Sequence, residues 1–63
     1  MALFRVHYRY VQPDTTRPRQ YSILMPATDA EAARRAVAVV MQRDGTPMER
    51  IEIMEAVPMG GKS

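Results

Sequence analysis

Sixty-three residues, 46% hydrophobic and 25% charged, make one small domain. A chain of this size buries only about 60% of its unfolded surface. It has no cysteine and one histidine, which excludes disulfides and removes the usual ligands of a structural zinc site, so self-association or a partner's surface is the expected source of extra stability. Net charge is only +2, but residues 1–28 carry Arg5, Arg9, Arg17 and Arg19 against Asp14 alone, a net +3, and the remainder is −1.

Eight of the nine basic residues are arginine. Arginine suits planar contacts to phosphate or carboxylate, although a GC-rich genome would produce the same bias. The longest apolar run, Ala36 to Met41, falls far short of the about 20 residues that span a bilayer. The opening "MALFRVHYRY" alternates charged and apolar residues and is not a signal peptide. A cytoplasmic protein without a membrane partner is the expectation.

"ALFRVHYRYV", Ala2 to Val11, has the period of a strand with one buried face. Phe4, Val6, Tyr8 and Tyr10 point inward; Leu3, Arg5, His7, Arg9 and Val11 point outward. "QPDTTRPR" reads as a long exposed loop that carries Arg17 and Arg19. "QYSILMPA" is a second strand whose Tyr21, Ile23 and Met25 must lie beside the Phe4–Tyr10 set, because a one-residue slip would expose them all.

"TDAEAARRAVAVVMQRDG" is a helix. Thr28 and Glu31 have the spacing of a capping box, and Gly45 followed by Pro47 marks the end. Ala30, Ala33, Val37, Val40 and Met41 fall on one face, and Glu31 can pair with Arg34 or Arg35. "MERIEIMEAV" is a third strand, with Ile51, Ile53 and Val57 inward, Glu55 interrupting them, and Arg50, Glu52, Met54 and Ala56 facing away.

The order β-β-α-β defines a single α+β domain over residues 1–57, with 58–63 as a tail. A right-handed crossover through the helix places strand three beside strand one, in the order 2-1-3, with the helix on one face of a three-stranded sheet. Pairing of strand three with strand two is the alternative.

The end of the chain, "AVPMGGKS", matches the looser spacing of a phosphate-cradling loop. Position 56 is Ala where the stricter pattern has Gly, and no helix follows to offer its N-terminal amides. A tail is the expected reading. His7 has no nucleophile or second acid–base group converging on it, so an enzyme is not expected. Of Glu49, Glu52 and Glu55, the first and last share strand parity and the middle one faces the other way. They do not converge on a metal, and Glu52 is expected to pair with Arg5 or Arg9. No cofactor, metal or small-molecule substrate is implied.

The face left uncovered by the helix mixes charge with apolar residues. Arg5, His7, Arg9, Leu24, Arg50, Glu52 and Met54 are its candidate interface residues. The expected function is a small interaction module, regulatory or inhibitory in the manner of a phage, plasmid or bacterial accessory protein, that forms a homodimer or docks a protein through this face. The alternative is nucleic-acid binding by Arg5, Arg9, Arg17 and Arg19 on the hairpin. Tyr8 and Tyr10, expected in the core, would then supply no stacking platform.

Overall fold

The alternation of the first strand is satisfied by a long hairpin. In a computed structural model, which describes residues 1–59, β1 (Ala2–Val11) pairs antiparallel with β2 (Pro18–Ala27). Phe4 lies opposite Met25, Val6 opposite Ile23 and Tyr8 opposite Tyr21, which is the register the apolar set demands. Because β2 begins at Pro18, Arg19 belongs to the strand opposite Tyr10, and only Arg17 remains in the loop. That loop turns on a Thr15 N–H donated to the Gln12 carbonyl and an Arg17 N–H donated to the Thr15 hydroxyl, both at 3.1 Å.

The helix α1 (Ala30–Arg43) starts one residue later than the capping box implied. Asp29, not Thr28, is the N-cap: its backbone is extended and its carboxylate accepts the Ala32 N–H at 2.8 Å. Both residues are good caps, and an aspartate adds a favourable charge at the positive end of the helix dipole. Glu31 is left to pair with Arg34 at 3.3 Å and Arg35 at 3.8 Å. At the other end Gly45 takes φ +80. Its N–H bonds to the Gln42 carbonyl and that of Thr46 to the Met41 carbonyl, each at 3.0 Å, which closes the helix in a Schellman motif.

A turn of 3-10 helix at Met48–Arg50 then leads into β3 (Ile51–Pro58), so Arg50 precedes the strand instead of opening it. β3 pairs antiparallel with β1, giving the sheet order β2-β1-β3. Strand three therefore lies beside strand one, and the α+β arrangement is the one the sequence implied.

Within β3 the register shifts. Ile51 and Ile53 lie opposite Tyr10 and Tyr8, but Ala56 lies opposite Val6, so two residues, Met54 and Glu55, face the single His7. This β-bulge reverses the expected parity beyond it. Ala56 packs against the core, and Val57 lies opposite Arg5 on the open face, 37% exposed. Glu55 interrupts the apolar alternation because it is one of the two bulge residues.

The core consists of Phe4, Val6, Ala27, Ala33 and Val37, where the first eight residues of α1 meet the sheet. Val40, expected on the inner face of the helix, is 39% exposed, whereas Met41, expected on the same face, packs against the core. Tyr8, Tyr10 and Tyr21 are on the helix side of the sheet but are only partly buried. Their position follows from lengths. Fourteen helical residues rise about 21 Å, whereas ten strand residues reach about 33 Å. The far part of the hairpin therefore outruns the helix that covers its base.

β3 extends one residue past the expected domain end at Val57, and the Met59 N–H still bonds to the Leu3 carbonyl at 2.8 Å. The Gly61-Lys62-Ser63 run lies outside the described residues. Among the described residues, no helix is long and apolar enough to cross a membrane.

Candidate functional site

The pleat of β1 sends Leu3, Arg5, His7, Arg9 and Val11 to the face that α1 does not cover. The register adds Pro26, Leu24, Ser22 and Gln20 from β2, and Val57 and Glu52 from β3. The face divides into two halves.

The half near the start of α1 is apolar. Leu3 is 42% exposed, Leu24 46%, Val57 37% and Met59 36%, and Pro26 lies opposite Leu3. Arg5 crosses this half between Leu24 and Val57, and its Nη1 donates to the Ser22 hydroxyl at 3.2 Å. No carboxylate partners Arg5 among the ion pairs of the described residues.

The far half is charged. Arg9 and Glu52, directly opposite across the strands, pair at 3.8 Å; both are well exposed, so the pair contributes about 0–1 kcal/mol. They line a shallow groove of about 240 Å³ with Val11, Pro18, Glu49 and Arg50. Glu49 and Glu52 thus share one groove, whereas strand parity had put them on opposite sides; the 3-10 turn removes Glu49 from the strand. The Arg50 Nη1 donates to the Val11 and Gln12 carbonyls, each at 3.4 Å. Arg50 therefore latches the entry to β3 onto the far end of β1, and part of its donor capacity is spent within the fold.

His7 sits at the middle of the face, half-buried, with Ser22 on one side and the Met54–Glu55 bulge on the other. Among the described residues, no three His, Asp or Glu side chains gather as a metal site. Five of the seven residues singled out for an interface, Arg5, His7, Arg9, Leu24 and Glu52, share this face by register. Met54 lies in the bulge beside them, and Arg50 at the mouth of the groove.

The four arginines proposed for nucleic acid do not share a surface. Arg5 and Arg9 are on the open face, while Arg19, opposite Tyr10, is on the helix side. There it borders an aromatic group. Tyr8 and Tyr21 stack with ring centroids 5.6 Å apart and planes 23° from parallel. Gln12 Nε2 donates to the Tyr21 hydroxyl at 3.2 Å. Partial burial, followed by the nearness of Tyr21, raises the pKa of Tyr8 above the usual 10.0. The half-exposed tyrosines correct the expectation that these rings are in the core. The signal was present in the mismatch between helix length and strand length.

Comparison with known protein families, curated proteins and solved structures finds no match.

Proposed function

We propose that the chain is a non-enzymatic interaction module that self-associates, with the open sheet face as the contact surface between copies. The observation that carries this reading is the exposed group Leu3, Leu24, Val57 and Met59, gathered at one end of a sheet face that no element of the described residues covers. Among the described residues only five side chains are buried, a small core, and covering the apolar end with a second copy would add to it.

Charge favours a second copy over a polyanion. The face and its rim carry Arg5, Arg9 and Arg50 with Glu49, Glu52 and Glu55, so like surfaces present both signs to each other. Light scattering on the full chain tests the reading. The wild type should form a salt-insensitive assembly, and Leu24→Asp should give a lighter, folded species. A Leu24→Asp variant that retains the wild-type mass would overturn it.

A second reading is favoured by one observation: Tyr8, Tyr10 and Tyr21 remain partly exposed beside Arg19, with Arg17 in the adjoining loop. Aromatic rings flanked by arginines can hold a nucleic-acid strand by stacking and phosphate contacts. Arg17→Ala combined with Arg19→Ala should then weaken binding of a short oligonucleotide and reduce its salt dependence by up to about two phosphate contacts. Unchanged affinity and slope would eliminate that site.

A further inference from the structure

We infer that β2 pairs along its free edge with β2 of a second copy, antiparallel about a two-fold axis at Ser22, to give one continuous six-stranded sheet. The inference rests on the self-association reading above and adds a second contact to it: pairing at the edge leaves the two open faces side by side and free for the face-to-face contact.

The order β2-β1-β3 leaves two edges. The β3 edge is broken by the Met54–Glu55 bulge and carries Glu52 and Glu55, which are protections against edge pairing. β2 has no bulge and no carboxylate: its ten residues run in unbroken register with β1, and its prolines, Pro18 and Pro26, stand only toward its two ends, leaving Gln20 to Leu24 open.

One hydrogen bond reveals which backbone groups of β2 face outward. The Leu3 carbonyl accepts the Met59 N–H, so the backbone groups of Leu3 point toward β3 and away from β2. The Val11 carbonyl, which accepts from Arg50, agrees. In an antiparallel ladder such positions alternate. Leu3–Pro26, Arg5–Leu24, His7–Ser22, Arg9–Gln20 and Val11–Pro18 are then the pairs without mutual hydrogen bonds. Gln20, Ser22 and Leu24 therefore direct N–H and C=O to the free edge. Pro18 and Pro26 lie at the same parity, where a missing N–H breaks no internal bond.

This edge is self-complementary. An axis at Ser22 sets Ser22 against Ser22 of the second copy, Gln20 against Leu24, and Pro18 against Pro26. Every outward N–H meets a carbonyl, and proline faces proline. On the helix side Tyr21 meets Ile23, an aromatic–β-branched pair, and Arg19 meets Met25, so no like charges oppose each other.

Size supplies the reason for the pairing. Three strands at about 4.8 Å spacing and about 33 Å length present roughly 450 Å² of open face. A standard interface needs roughly 800 Å² on each side. Edge pairing keeps both helices on the same side and joins the two open faces, which brings the platform to that size.

The test is amide hydrogen exchange by NMR on the full wild-type chain, with Ser22→Pro as the variant. Expected is slowing of the Gln20, Ser22 and Leu24 amides by about a hundredfold or more over free-edge rates. Ser22→Pro, which leaves the β1 ladder intact, should restore fast exchange at Gln20 and Leu24 and lower the assembly's mass. An associated wild-type chain whose three edge amides exchange at free-edge rates would overturn edge pairing and leave the open-face contact standing. A folded Ser22→Pro variant of unchanged mass would overturn it likewise. A wild-type chain that stays monomeric at NMR concentration would overturn both. Should Ser22→Pro fail to fold, exchange on the wild type still decides.

Discussion

Substituting Val37 and Val40 separately by alanine distinguishes two phases of the same helix. Val37 is fully buried and Val40 is 39% exposed. Each substitution removes two methyl groups' worth of transfer free energy, about 1.6 kcal/mol if fully buried, and each gains the same helix propensity, about 0.5 kcal/mol. The propensity gain cancels in the comparison. At Val37 a cavity adds to the loss, for a net cost of about 2 kcal/mol. At Val40 the partial exposure leaves about 0.5 kcal/mol. The difference, about 1.5 kcal/mol, is a large share of the roughly 3–9 kcal/mol available to a domain of this size. Urea unfolding followed by circular dichroism, at one fixed protein concentration, should resolve it, and thermal melts should differ by roughly 6–12 °C. Equal losses, or a larger loss at Val40, would mean that the helix is rotated about its axis and that the core described here is wrong.

Gly45→Ala should cost about 1 kcal/mol in the same urea assay: no atom obstructs an added Cβ, so the whole penalty is the left-handed backbone at φ +80. An unaffected variant would show that the helix does not end in a Schellman motif. Asp29→Ala should cost about 1 kcal/mol while Thr28→Ala is nearly neutral, and the opposite ranking would return the cap to Thr28. Tyr8 has a folded-state pKa raised above its unfolded value, so its neutral form is the one the fold favours. Its contribution is complete below about pH 10 and is lost as pH rises through the raised value. Ultraviolet titration should show Tyr8 ionising above 10.0, together with a fall in stability. Tyr21 both stacks on Tyr8 and raises its pKa, so removal of Tyr21 should bring Tyr8 back toward the ordinary value; no change would mean that Tyr21 contributes neither burial nor charge there.

The hairpin was legible because its alternation extends over two whole strands and only one register buries both sets. The sheet order is the one that a right-handed crossover favours, although the sequence by itself leaves pairing of strand three with strand two open as the alternative. Each departure has a local cause that periodicity does not encode. "AVAVV" offers an apolar residue at nearly every helical phase, so the choice between Val37 and Val40 depends on where the sheet sits. Thr28 and Asp29 are adjacent and both competent to cap. The bulge belongs to the pairing of β3 with β1, and within β3 it shows only as a misplaced Glu55. The open-face residues of β1 and β2 were placed correctly for the same reason as the hairpin. Val57 and Ala56 exchanged faces because they lie beyond the bulge.

The Met54–Glu55 bulge also bears on how the chain can change in length. Ile51–Ile53 and Ala56–Pro58 each keep their own register with β1, and the surplus residue between them is absorbed opposite His7. Deletion of Glu55 would leave every other residue of β3 facing its present side, with Met54 alone opposite His7. Deletion of Met54 would do the same with Glu55 opposite His7, whereas deletion within the strand outside the bulge would turn a stretch of it inside out. Along β3, then, this is the place where descendants of the chain can shed one residue without exchanging core for surface.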